Sequence, residues 1–125
     1  HFYVTHSWIN IHTRGQAAGQ HIHGNSLISG VLYLDVNETS GDLVFHRDVL
    51  SLIPFPPALD FDVVSFNIYN CKSWSYKPKA NDICLFPSTV MHSADRNESD
   101  EERWCLAFNV FARGTFGVEH QLSIK

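Results

Sequence analysis

Nine lysines and arginines, scattered through 125 residues with a formal charge of −4, are too few for a broad phosphate-binding surface. No clear nucleic-acid patch is therefore expected. No apolar run approaches the roughly 20 residues that span a bilayer, and the opening residues carry no secretory-leader pattern. A cytoplasmic chain without membrane contact is expected. Only three cysteines are present, Cys71, Cys84 and Cys105, with no CxxC pair. An odd, widely spaced set suits neither a disulfide framework nor a zinc knuckle. Cys84 and Cys105 lie inside apolar runs and read as small buried residues, which fits a reducing compartment. Internal repeats, low-complexity tracts and sustained helical periodicity are also lacking. The sequons at Asn37 and Asn97 read as incidental turn residues.

What is present is a series of short β-rich runs separated by turn clusters, in a length that suits one domain spanning residues 1–125. "FYVTHSWINI" (Phe2 to Ile11), "SGVLYLDV" (Ser29 to Val36), "DICLFP" (Asp82 to Pro87), "VMHSAD" and "RWCLAFNVFA" (Arg103 to Ala112) read as strands. "DLVF" (Asp42 to Phe45) is expected to pair back on the Ser29 to Val36 strand as a hairpin. "FDVVSFNIYN" and "SWSYKP" are expected to form another antiparallel pair. The segment from His46 to Asp60 holds three prolines and cannot be a central strand. Eight or nine short strands with almost no helix close most readily into a barrel or a double-sheet jelly roll.

The chain has eight histidines, and two of them, His21 and His23, stand two apart. On a strand, residues i and i+2 share a face, so both imidazoles can reach one metal ion. Chance alone supplies about half of one such pair in this composition, and two surface histidines are the plain alternative. A third imidazole comes from "NDICLFPSTVMHSADRN", where a proline stop after an apolar strand aims the next strand and its His92 inward. Arg103 opens the last strong strand, eleven residues after His92. It is either a solvated strand end or an anchor for a carboxylate, which a guanidinium grips through two parallel hydrogen bonds.

Taken in order, "HIH", "SGVLYL", "GDLVF", "LFPSTVMH" and "RWCLAFN" resemble the 2-oxoglutarate and Fe(II)-dependent oxygenase superfamily. The likeness extends from about Trp8 to Asn109. It is similar, more narrowly, to a group of oxygenases common in phages and marine bacteria, whose pattern runs roughly HxHxxSxxSGVYYL, FPSxLxHxVxP, RxSxSFN. The resemblance implies an all-β double-stranded β-helix, the jelly-roll or cupin-like barrel, with a metal at its open end. It implies Fe(II) on His21, His23 and His92. It implies 2-oxoglutarate and O2 as cosubstrates, with Arg103 on the distal carboxylate and Tyr33 as a second donor there. Ser29 and Asn109 are implied as pocket-lining residues, and Leu32, Leu34, Phe86, Leu106 and Phe108 as core. The activity implied is a dioxygenase of hydroxylase type, acting on an unspecified substrate in a bacterial cytoplasm or, if phage-encoded, in the host's.

The chain departs from the superfamily pattern at one point. The usual motif is H-x-D or H-x-E, and no acid stands two residues after either His21 or His23. Three imidazoles leave a ferrous site one negative charge poorer, and zinc also accepts three histidines plus water. His23 paired with Asn25, with His21 outside the ligand set, is the alternative arrangement. His1, His6, His12, His46 and His120 are read as non-ligands, with His46 solvated in a loop. Two rival functions stay open: a cupin-like metalloenzyme that uses no 2-oxoglutarate, and a non-catalytic jelly-roll binding or structural module. The loops from His46 to Asp60 and from Asp95 to Glu102 are expected to flank the mouth.

Overall fold

A computed structural model describes residues 1–47, 64–117 and 122–125. Ten strands, and no helix among the described residues, are arranged as two facing four-stranded sheets and a terminal hairpin. The strands are β1 (Phe2–His12), β2 (Ala18–His21), β3 (Ile28–Asp35), β4 (Leu43–His46), β5 (Ser73–Tyr76), β6 (Ile83–Pro87), β7 (Met91–Ala94), β8 (Arg103–Ala112), β9 (Gly114–Phe116) and β10 (Leu122–Ile124). The first sheet has the order β1-β8-β3-β6 and the second β2-β7-β4-β5, all pairs antiparallel. This is the double-stranded β-helix expected from the sequence.

Strand alternation decides what faces inward. Along β8, Arg103, Cys105, Ala107 and Asn109 are buried, while Trp104, Leu106, Phe108 and Val110 are only half-buried on the outer face. Core packing falls to Tyr33, Leu43, Phe86 and Cys105, with Val31, Phe45, Tyr76 and Cys84 packed against them. Phe86 takes its expected place. Leu32, Leu106 and Phe108 are on the outer face, and Leu34 is exposed, because the period of two sends them there.

Two expected hairpins do not form, and the first is replaced by a crossing between sheets. β4 does not pair with β3; it pairs with β5 and β7 in the opposite sheet. The chain changes sheet at Gly41, whose φ is +86° and whose added Cβ would stand 2.6 Å from the carbonyl oxygens of both Asp95 and Arg96. Glycine is needed there for conformation and for space. β5 likewise pairs with β4 rather than with the preceding segment; residues 64–70 form a turn, and 61–63 lie outside the described residues. His46 ends β4 and is half-buried, with Nε2 2.8 Å from Ser93 Oγ, so it is not a solvated loop residue. The C-terminal pair β9–β10 had no counterpart in the sequence reading.

The crossing from β6 to β7 is the expected proline corner. The Val90 N–H donates to the Pro87 carbonyl at 2.9 Å, and two residues later His92 is buried. The loop at 95–102 closes the other end of β7 rather than the histidine end. Asn97, fully buried, donates through Nδ2 to the carbonyls of His12 and Glu101, each at 2.8 Å. A side chain so enclosed is a turn element and not an accessible sequon. The proline-rich stretch from 48 to 63 and His120 lie outside the described residues.

Candidate metal centre

Cross-strand register brings the three histidines together. His21, the last residue of β2, is the direct partner of His92 on β7. His23 lies two residues beyond β2 and is held to the proline corner by its N–H, which donates to the Ser88 carbonyl at 3.0 Å. The ring centroids are 4.3 Å apart for His21 and His92, 5.2 Å for His23 and His92, and 5.3 Å for His21 and His23. One ligating nitrogen from each lies within 4.8 Å of the others.

The Nδ1 atoms set the chemistry of this cluster. His21 Nδ1 donates to the Gly19 carbonyl at 2.7 Å, and His92 Nδ1 to the Val90 carbonyl at 2.9 Å. Carbonyl oxygens only accept, so both Nδ1 atoms carry the proton. His23 Nδ1 is 2.6 Å from Asn109 Oδ1, and the Ser29 hydroxyl also donates to that oxygen, at 3.4 Å. With the amide oxygen accepting, His23 too is protonated on Nδ1. Each ring therefore turns an Nε2 lone pair toward the others. Fixing the tautomer through the remote nitrogen is how metal-binding imidazoles are ordinarily oriented. Burial foremost, and His21, His23 and His46 besides, push the His92 pKa below its ordinary value; the Val90 carbonyl offsets part of this. Three neutral donors facing one point fit a divalent metal ion.

The triad opens on a cavity of about 170 Å³ between the sheets. Its wall includes Trp8, Asn10 and His12 of β1, Ser29 and Tyr33 of β3, and Phe86 of β6, and no Asp, Glu, Lys or Arg among the lining residues. Tyr33 is buried, and desolvation raises its pKa well above the ordinary tyrosine value, so it keeps its proton. Ser29 is buried and hydrogen-bonded to Ser88 Oγ at 2.9 Å as well as to Asn109. Ser29 and Asn109 thus form one network behind His23. Trp8, Asn10 and His12 were missed by the sequence reading; their spacing of two along one strand was the available signal. The indole of Trp8 lies 5.9 Å from the His23 ring, centroid to centroid.

Arg103 is deeper, 1% exposed on the inner face of β8. Its Nη1 donates to the carbonyls of Ser40 at 2.6 Å, Asp95 at 3.1 Å and Gly41 at 3.3 Å. Its Nη2 is buried and has no hydrogen-bond partner. A solvated strand end is thereby excluded. Burial lowers its pKa, while Tyr33, Cys105 and Asp95 oppose the shift.

Residues 6–109 match the family described as "Putative 2OG-Fe(II) oxygenase". No curated protein matches the chain. Three solved structures are similar to it. An oxidoreductase of the 2OG-Fe(II) oxygenase family from Burkholderia pseudomallei is 13% identical, with a TM-score of 0.66 over 88% of this chain and 45% of that one. HygX from Streptomyces hygroscopicus, solved with nickel and 2-oxoglutarate bound, is 10% identical, with a TM-score of 0.59 over 87% of this chain and 57% of that one. A cupin domain from Bordetella pertussis is 15% identical, with a TM-score of 0.51 over 89% of this chain and 92% of that one. At such identities the likeness is one of fold. The chain spans about half the length of the Burkholderia oxidoreductase and of HygX.

Proposed function

The chain belongs to the 2OG-Fe(II) oxygenase family, and on that premise we propose that residues 1–125 form one catalytic domain, a 2-oxoglutarate- and Fe(II)-dependent dioxygenase of hydroxylase type. The observation that carries this reading is the shared tautomer of His21, His23 and His92, which leaves Nε2 free on each of three rings whose ligand atoms lie within 4.8 Å of one another. When bound, Fe(II) and 2-oxoglutarate supply the oxidising chemistry: O2 is consumed, 2-oxoglutarate becomes succinate and CO2, and the substrate is oxidised.

The residues divide the remaining work. His21, His23 and His92 hold the metal through Nε2. Arg103 presents Nη2, a buried donor without an acceptor, to the distal carboxylate; an unsatisfied buried donor costs about 1–3 kcal/mol, which an anion would recover. Tyr33, held protonated by burial, faces the cavity beside the histidines as a second donor. The Asp95 carbonyl that accepts from Arg103 lies three residues beyond His92, about 10 Å of strand. A five-carbon dicarboxylate, chelating at one end and hydrogen-bonded at the other, is of comparable length. Ser29 and Asn109 line the inner wall beside His23 and keep its ring turned. Apolar walls from Phe86, Val31 and Leu43 limit water around the reacting groups. Among the described residues no helix is long and apolar enough to cross a membrane, and the three cysteines are free thiols; a cytoplasmic setting accords with both.

The test is succinate release by the 125-residue chain with Fe(II) and 2-oxoglutarate, with Arg103→Ala alongside. The reading requires wild-type release that depends on both additions and a large loss in the variant. The all-imidazole ligand set favours one rival, a cupin-like metalloenzyme without 2-oxoglutarate. Metal-dependent turnover that survives Arg103→Ala with no keto-acid requirement would establish that rival.

A further inference from the structure

We propose that His12 is a second anchor for the distal carboxylate of 2-oxoglutarate, donating through Nδ1 from the strand position opposite Arg103, whose Nη2 is also unpartnered. The inference rests on the cosubstrate assigned above.

Among the described residues, two buried side-chain nitrogens lack any hydrogen-bond partner: His12 Nδ1 and Arg103 Nη2. They are not scattered. His12 and Arg103 are direct cross-strand partners on β1 and β8, and both side chains sit on the inner face. Two orphans on paired strand positions point to one missing acceptor, because each left alone costs about 1–3 kcal/mol. The described residues offer none: the carbonyls near Arg103 are taken by Nη1, and no Asp or Glu is among the cavity's described lining residues.

The chemistry of the pair selects a carboxylate. Arg103 is a cation and only donates. Burial first, and the nearby Arg103 charge second, hold the His12 pKa below its ordinary value, so the ring is neutral and carries a single N–H. A neutral imidazole adds a hydrogen bond without adding a second buried charge. One acceptor group with two oxygens satisfies both donors at once, and the guanidinium charge favours an anionic one. The position of His12 is fixed from behind, since fully buried Asn97 donates to its main-chain carbonyl at 2.8 Å. His12 is thus a binding residue that selects keto acids with a distal carboxylate.

The test titrates 2-oxoglutarate and 2-oxopentanoate into the Mn(II)-loaded 125-residue chain and reads affinity by calorimetry. The second acid keeps the chelating end but has a methyl group in place of the distal carboxylate. Wild type is expected to prefer 2-oxoglutarate. His12→Leu should weaken 2-oxoglutarate about tenfold and leave 2-oxopentanoate unchanged. His12→Asn, whose amide falls near the Nδ1 position, should restore most of the preference; His12→Gln, which reaches the Nε2 position, should not. If His12→Leu fails to fold, the Asn and Gln pair decides by the same criterion. Equal losses for both acids, or variants indistinguishable from a discriminating wild type, overturn the role of His12 alone. A wild type that binds neither acid, or both equally, overturns the cosubstrate assignment and this inference with it.

Discussion

His21 and His92 face each other directly across β2 and β7, with their ring centroids 4.3 Å apart. Residues 71 apart in sequence reach one point because the chain crosses four times between the sheets from β2 to β7. A metal at that point binds the folded chain and not the unfolded one, so it must stabilise the fold.

Fe(II) or Mn(II) with 2-oxoglutarate should therefore raise the melting temperature, by about 2.7 kcal/mol of stability at a hundredfold excess over Kd. His92→Ala removes the buried member of the triad and should abolish the shift. Differential scanning fluorimetry, with and without a chelator, checks this.

Asn109 should act on a bound metal through His23 rather than by contact. Its Oδ1 accepts from His23 Nδ1 at 2.6 Å, so Asn109→Leu frees the His23 tautomer. Metal affinity should fall about 10- to 100-fold, while Asn109→Asp, which keeps the acceptor, should retain it. Competition against a chromophoric chelator reads the difference.

Gly41→Ala should destabilise the fold by more than about 2 kcal/mol, measured as a drop in urea midpoint. The residue sits at φ +86°, and its Cβ would meet two main-chain oxygens. Its own carbonyl and that of Ser40 hold Arg103, so 2-oxoglutarate binding should weaken in the same variant.

Acid should destabilise the metal-free chain through His12. The folded-state pKa lies below the ordinary 6.5, so the unfolded chain takes up a proton that the folded chain refuses. The stability due to the neutral ring is complete above about pH 6.5 and is lost as pH falls from there toward the folded value. The urea midpoint should drop between pH 7.5 and 5.5, and drop less in His12→Asn.

Much of this site was legible in the chain because it is written in local patterns. The i, i+2 pair at His21 and His23, and the proline corner before His92, are short-range signals that survive without knowledge of topology. The route of the chain was less legible. Gly41 between β3 and β4 reads as an ordinary hairpin turn, and only the carbonyls of Asp95 and Arg96, more than 50 residues away, make it a crossing between sheets. Leu34 read as core because apolar runs hide alternation, whereas its exposure follows from the register of β3 with β8. His12 carried only the spacing of two that it shares with Trp8 and Asn10. Its meaning comes from standing opposite Arg103, a pairing of residues 91 apart.

The most direct test is anaerobic addition of 2-oxoglutarate to the Fe(II)-loaded chain, followed by visible absorption. A keto acid chelated to Fe(II) produces a charge-transfer band. The account predicts that band in the wild type, its loss in His92→Ala, and its appearance only at much higher 2-oxoglutarate in Arg103→Ala. A wild-type protein that holds Fe(II) and shows no band at any 2-oxoglutarate concentration would contradict it.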